Sequence, residues 1–385
     1  MQRTLLRILP LLLLLSCAGN HRPPPVAHYQ KPDYEKVSIV PTADTLRFPL
    51  DEDSFGDLES WSIRQRNGET VIAFFDQRSE SILEYQYPSC RLINKILLRK
   101  IFKPYTLHDA YLQSYDSIYV LSKTKFSLVD SAMHVLGEIP NVVDGVILEP
   151  DISPIHPPVA KNGKIYLSRY STVNAASLED VRKWENLWAG KPREGTVTTA
   201  YGMPGMYLRN YYNYPLHRSS YCINDDGNFV FSFAADTMLY ETDLDHLHNA
   251  WFAKSKFQTT PIPVAPKDSM RKARMSARLY NQSDSYGGIY FDPYHKRYLR
   301  IARSGTTREE FEKTKSFKPM RFLILDKQFR IIGESEIPSD INVKQVFFVP
   351  DGRMYARILP KSETELLFIR LEYQTRHAAN RSHEK

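Results

Sequence analysis

The sequence predicts an all-β protein, a six-bladed β-propeller with seven blades as the alternative count, and three observations carry that reading. Short runs of Tyr, Phe, Ile and Val fill the chain, and helix-period segments are scarce. Asn-Gly or Asp-Gly pairs stand before four of those runs. Asn67-Gly68 precedes Thr70 to Phe75, Asn162-Gly163 precedes Lys164 to Leu167, Asp226-Gly227 precedes Asn228 to Phe233, and Asp351-Gly352 precedes Arg353 to Arg357. Such pairs take the positive φ that a tight hairpin needs. A longer signature also repeats: Leu128-Val129-Asp130 precedes Gly137-Glu138-Ile139 at the spacing with which Ile324-Leu325-Asp326 precedes Gly333-Glu334. It reads as a strand, a tight turn and an outer strand. The units recur roughly every 45 to 70 residues, within the range of propeller blades that carry insertions. A β-sandwich or a pair of smaller β domains is the competing architecture.

The first element along the chain is an export signal over residues 1–16. Arg3 and Arg7 give it a basic start, and Leu5 to Leu15 give it an apolar run too short to span a bilayer comfortably. Leu14-Leu15-Ser16-Cys17 resembles the lipobox of bacterial lipoproteins, so the Cys17 thiol is expected to take diacylglycerol and become a palmitate-bearing N-terminus. An ordinary secretory signal or an N-terminal anchor helix is the plainer alternative. Residues 17–34 begin small, polar and Pro-rich, a composition that cannot pack a core, and read as a flexible tether. No Asp follows Cys17, which favours the outer membrane. No acidic cluster follows it either, which favours a periplasmic over a surface-exposed orientation by a small margin.

The propeller is expected over residues 35–375, with a disordered tail at 376–385. Its units run from Leu58 to Arg99, Leu107 to Ile139, Pro154 to Arg209, Leu216 to Lys256, Tyr286 to Ile337 and Val343 to Tyr373. The sixth lacks an outermost strand, and Asp44 to Leu50 has no partner of its own. Pairing the two closes the ring and protects its last edge. The tether would then enter beside the closing blade. Two insertions read as helical, each between the second and third strands of its blade. Ser177 to Trp188 opens with a cap-like Ser and puts Val181, Trp184, Leu187 and Trp188 on one face, and Thr306 to Phe311 reads as a capped start.

The formal net charge of +7 loses the charges of Arg3 and Arg7 with the signal and is mild for this length. With no dense basic patch, and with export expected, nucleic acid is excluded as a partner. Cys90 and Cys222 fall in different blades, so two buried free thiols are favoured over a disulfide. No Cys/His spacing suggests zinc, and neither a Walker loop nor a nucleophile elbow is found, so no metal and no cofactor are expected.

Connections between blades and those between second and third strands share one face of a propeller. That face should collect both helical insertions, Pro140 to Ser153, Asn210 to Pro215 and Phe257 to Ser285. The opposite face should carry only tight turns. Long loops on a rigid scaffold are where binding usually resides. The densest aromatic and basic cluster there holds Tyr211, Tyr212, Tyr214, His217 and Arg218, residue types that stack on sugars or peptides and pair with carboxylates. Packing of these Tyr against neighbouring loops is the favoured plain reading, as docking of the insertion is for Trp184 and Trp188. Tyr298 and Arg300 alternate with apolar neighbours and would face either the central channel or, as favoured, the surface or an inter-blade partner. His108-Asp109 cannot act as a pair from one strand, because adjacent side chains point to opposite faces. His246 and His248 lack a third metal ligand.

Tyr290 to Arg300, reading Tyr-Phe-Asp-Pro-Tyr-His-Lys-Arg-Tyr-Leu-Arg, with the lipobox and Pro-containing tether, resembles a Bacteroidota lipoprotein family known as a domain of unknown function with a six-bladed, TolB-like propeller. The resemblance covers most of the mature chain. It implies a cell-envelope location and brings no catalytic residues. The expected role is a binding or scaffold propeller anchored to the membrane by its N-terminal lipid, engaging a protein, peptide or glycan on the long-loop face. The alternative is a glycan-active hydrolase or lyase with its site at the channel mouth. A scaffold predicts no close pair of carboxylates there. An enzyme predicts that pair, or a His with an orienting acid.

Overall fold

The computed structural model describes residues 24–56, 58–143, 146–170, 177–265, 267, 273–314, 318–358 and 364–376. Asn67 and Gly68 turn the chain with φ of 51° and 82°, and Asn162 and Gly163 with 52° and 72°, as two-residue hairpins require. At Asp226-Gly227 and Asp351-Gly352 only the glycine is left-handed. Those loops are wider, spanned by hydrogen bonds from Asn224 N–H to the Asn228 carbonyl and from Val349 N–H to the Arg353 carbonyl.

Strands β1 (Val26–His28) and β2 (Val37–Pro49) precede the first blade, which is β3 (Leu58–Arg66), β4 (Glu69–Asp76), β5 (Ser81–Gln86) and β6 (Arg91–Leu97). The second is β7 (Leu107–Ser114), β8 (Ser117–Ser122), β9 (Lys125–Val129) and β10 (Val135–Pro140). After a small hairpin, β11 (Val142–Val143) and β12 (Val146–Ile147), the third blade begins with a split inner strand. Here β13 (Pro150–Asp151) and β14 (Val159–Lys161) both pair with β15 (Lys164–Arg169), followed by helix α1 (Leu178–Lys183), β16 (Glu185–Lys191) and β17 (Thr196–Gly202). The fourth blade is β18 (Ser219–Ile223), β19 (Phe229–Phe233), β20 (Met238–Thr242) and β21 (His248–Phe252). Helix α2 (Ala273–Gln282) leads to the fifth, β22 (Ser285–Asp292), β23 (Arg297–Arg303), helix α3 (Arg308–Thr314), β24 (Met320–Asp326) and β25 (Ile331–Ile337). The sixth is β26 (Ile341–Phe348), β27 (Met354–Ile358) and β28 (Glu365–Thr375), completed by β2 with a register from Val37 opposite Thr375 to Pro49 opposite Glu365. The architecture is the expected six-bladed propeller, closed as expected by the N-terminal strand.

The core lies in the seams between blades. Ile72 and Phe74 of β4 pack towards the sixth blade, while Ala73 and Phe75 of the same strand pack towards the second. Phe229, Phe231 and Phe233 of β19 face the third blade, and Val230 faces the fifth. Alternate side chains of a strand point to opposite faces, and both faces of a blade are covered. These strands therefore read as continuous apolar runs. The repeated glycine signature has a packing cause as well. Gly137 and Gly333 lie at register slips between the outer two strands of their blades, and a Cβ on either would strike backbone, at Pro192 and Val37 respectively.

Two expectations are corrected. The helix expected over Ser177 to Trp188 stops at Lys183, capped at its start by Ser177 Oγ accepting from Asp180 N–H. Trp188 belongs to β16, is fully buried, and packs against Phe126 of the second blade at a 5.0 Å ring separation. Pairing of β16 on both edges overrides the local helical period. The tether expected over residues 17–34 also ends early. Val26 to His28 pair in parallel with Asn249 to Trp251 on the outer edge of the fourth blade, and His28 stacks on Trp251 at 4.1 Å. The Tyr34 hydroxyl donates to the Lys254 carbonyl, and its own carbonyl accepts from Glu334 N–H on the fifth blade. The chain thus belts blades four, five and six, and enters at the fourth, away from the closing blade. Residues 1–16, Cys17 and nearly all of the tail at 376–385 lie outside the described residues. Cys90 and Cys222 are free and buried, as favoured.

Candidate functional site

Inner strands start on the long-loop face, and several of those starts converge on one cavity of about 290 Å³ at the channel mouth. The third blade contributes Asp151, Ser153 to His156, Arg169 at the end of β15, and Tyr170 just beyond it. The fourth contributes Arg218 to Ser220 and Ala234, the fifth Tyr286 to Gly288 and Arg303, and the sixth Asn342, Lys344 and Gln345. Tyr280 of α2 overhangs it. Register slips in β22 between Tyr286 and Ile289, and in β26 between Asn342 and Val346, displace the inner strands here. Bulges of this kind re-aim side chains beside sites. Glycine is favoured at the β22 slip, where a Cβ on Gly288 would come 2.5 Å from Cγ2 of Ile155.

Three cations reach the mouth without a carboxylate partner among the described residues. Arg218 is exposed and donates to the Tyr170 hydroxyl at 3.3 Å. Arg303 donates to the Tyr280 hydroxyl at 2.9 Å. Lys344 extends from the β26 bulge. Enclosure by the mouth, and then Arg303 and Arg218, push its ammonium below the usual lysine value. Lys318, just beneath, is pushed down to about 7 by burial and by Arg303, and donates to the Ser283 carbonyl and Ser285 Oγ. Among the described residues, the mouth gathers more cations than carboxylates.

The mouth also holds an acid–histidine pair. Asp151 lies 2.7 Å from His156 Nδ1, with Ser153 Oγ at 3.0 Å from the same nitrogen. His156 Nε2 donates to the Ser219 carbonyl at 2.7 Å. Both ring nitrogens are therefore engaged, and the ring clamps the third blade to the fourth.

Of the residues singled out from sequence, only Arg218 lines the cavity. His217 is 1% exposed beside it, with Nδ1 against the Asn213 carbonyl, and burial pushes its pKa down to about 4. Tyr212 is buried against Tyr207. Tyr214 is half-buried, and burial followed by its hydrogen bond to Tyr170 raises its hydroxyl to about 12. The Tyr211 carbonyl accepts from Ala265 N–H, and its ring lies 6.0 Å from Lys267 Nζ. Tyr298 stacks on Phe329 in the seam between blades four and five. Arg300 is fully buried there, donating to the carbonyls of Ala253, Phe233 and Asp236 and to Ser232 Oγ. Both side chains lie in this inter-blade seam.

Arg303, Lys344, Tyr170, Tyr280 and the Asp151–His156 pair were not singled out. One signal was available. Arg169 and Arg303 end the second strands of their blades, so they occupy equivalent places in the repeat. Superposing blades would have put both at the mouth.

The sequence matches the family model DUF4221, a domain of unknown function, over residues 201–336. That span holds the fourth blade, nearly all of the fifth, and both Arg218 and Arg303. No curated protein matches. The solved structure of a DUF4221 family member from Bacteroides vulgatus is 20% identical, covers 89% of this chain and 100% of that one, and superposes with a TM-score of 0.75. Virginiamycin B lyase from Staphylococcus aureus is 10% identical, with 85% and 98% of the two chains covered and a TM-score of 0.42. YCF48 from Cyanidioschyzon merolae is 10% identical, with 85% and 98% covered and a TM-score of 0.43. These last two are too distant to bear on function. The chain thus matches the DUF4221 model over residues 201–336 and folds as a six-bladed β-propeller similar in structure to the Bacteroides vulgatus protein.

Proposed function

We propose that this protein is a binding propeller of the cell envelope, held to the outer membrane by a lipid on Cys17, with the channel mouth as its binding site for a protein, peptide or glycan. The observation that carries the reading is the convergence of Arg218, Arg303 and Lys344, none with a carboxylate partner among the described residues, on one cavity beneath the long loops. An unneutralised cation cluster destabilises a fold, so its retention calls for a ligand.

The belt supports an orientation. β1 runs parallel to β21, which rises from the tight-turn face towards the mouth, so Val26 enters at the tight-turn end. The nine residues from Cys17 to Val26 reach at most about 30 Å. A lipid on Cys17 would then hold the tight-turn face near the bilayer and leave the mouth open to the compartment.

The second reading, a glycan-active hydrolase or lyase, draws on the Asp151–His156 pair. Catalysis by that His needs a nitrogen free for substrate, and its Nε2 is bound to the Ser219 carbonyl. The binding reading is therefore preferred. Envelope extract passed over immobilised wild-type protein and over the double variant Arg218→Ala/Lys344→Ala tests it. Loss of the retained component from the variant is expected, and an unchanged retained set would remove the mouth as the binding site.

A further inference from the structure

We propose that the channel mouth binds a small organic anion carrying two or more negative charges, a phosphate monoester or a polycarboxylate, gripped between Arg218, Arg303 and Lys344. The inference rests on the binding reading above for the place of the site and goes beyond it in naming a small anion as a ligand there.

The first argument is charge. Arg218 comes from the fourth blade, Arg303 from the fifth and Lys344 from the sixth, and both arginines act on Lys344 by repulsion. Asp151, the acid of this mouth, is held by His156. A single negative charge would leave the cluster with an excess of positive charge, whereas a dianion comes close to matching it.

The second argument is geometry. Arg218 and Arg303 each use one terminal nitrogen on a tyrosine hydroxyl, Tyr170 and Tyr280. These neutral partners orient the guanidiniums and leave other donors for oxyanions, which a planar guanidinium meets with paired hydrogen bonds. Nε of Arg303 is buried with no hydrogen-bond partner among the described residues. Three donors from three blades would close around an anion, which a flat basic surface could not do.

The third argument is size. The cavity of about 290 Å³ sits at the lower end for small-molecule sites, which suits one sugar phosphate or a citrate-sized polycarboxylate. Ile155 and Pro215 give it apolar wall against which a carbon skeleton can lie.

Isothermal titration of the full chain at low salt with glucose 6-phosphate, citrate and glucose tests the proposal. At least one of the two anions should bind, and glucose should not. Binding of the phosphate alone or of citrate alone assigns the source of charge, and binding of both defines a general dianion site. Arg218→Gln, Arg303→Gln and Lys344→Gln should each weaken binding by tenfold or more. Lys327→Gln, an exposed lysine in the tight turn between β24 and β25 on the opposite face, should change nothing. Melting curves would confirm that each variant folds, and Arg218, being exposed, is the variant least coupled to folding. Absence of binding by both anions would overturn the proposal, as would equal binding of glucose or equal weakening by Lys327→Gln. Envelope capture would still stand as a separate test of the binding reading.

Discussion

The seams around the fourth blade and the channel mouth above them draw on the same residue types, and neighbours in the chain divide between them. Arg300 and Arg303 share strand β23. Arg300 is fully buried and gives its donors to three backbone carbonyls and Ser232, with the Tyr286 ring 3.7 Å from its guanidinium carbon. Burial lowers its pKa to about 10, so it stays charged at neutral pH. Arg303, at the mouth end of the strand, meets a tyrosine hydroxyl and open space. His217 and Arg218 repeat the contrast one residue apart, the first packed on Tyr207 and the second exposed. Residue type does not separate structure from function here. The use of the guanidinium donors does: Arg300 uses its donors on carbonyls and a hydroxyl within the seam, and Arg303 at the mouth leaves donors for something else.

The largest expected effect comes from breaking a seam. Arg300→Leu removes the donors to the Ala253, Phe233 and Asp236 carbonyls in a dry interior and should cost about 3–5 kcal/mol. Arg303→Leu should cost under about 1 kcal/mol. Urea unfolding of the two variants makes the comparison, and equal losses would collapse the distinction between seam and mouth.

The second effect sharpens the contrast through pH. His217 is neutral when folded down to about pH 4, while the unfolded chain protonates it near the ordinary value of 6.5. The unfolded state therefore binds more protons between those values. The stability tied to this residue is complete above about pH 6.5 and lost as pH falls towards 4, a span of about 3 kcal/mol. Wild type should lose that much more than His217→Gln between pH 7 and pH 4, read from urea midpoints. Identical pH profiles would show that the ring is not held neutral by its burial.

Much of the fold was legible because a propeller repeats its punctuation. Turn pairs such as Asn67-Gly68 and the Gly137 and Gly333 bulges mark the same places in successive blades, and the unpartnered strand near Asp44 supplied ring closure. Trp188 was misread because helical spacing from Val181 onwards is a local signal, whereas its burial against Phe126 is set by a blade far earlier in the chain. β1 was invisible for a related reason: three residues carry no period, and their partner, β21, lies more than two hundred residues away. The mouth was legible only as a face. Arg218 stood within a visible aromatic cluster, but that cluster turned inward at Tyr212 and His217. Arg303 and Lys344 carry no local mark at all, since their meaning comes from ring closure.

The smallest effect bears most directly on what the mouth is for. Lys344 sits beside two guanidiniums that raise the cost of its charge, so Lys344→Gln should stabilise the unliganded protein by a few tenths of a kcal/mol at low ionic strength. At high salt the gain should shrink, because screening removes the repulsion from the two arginines and leaves only the cost of enclosure. A core or seam substitution would show neither the sign nor the salt dependence. Thermal unfolding of both proteins at low and high salt measures it. A variant less stable than wild type at low salt would mean that Lys344 holds the fold together, and the mouth would then have to be read as one more completed seam.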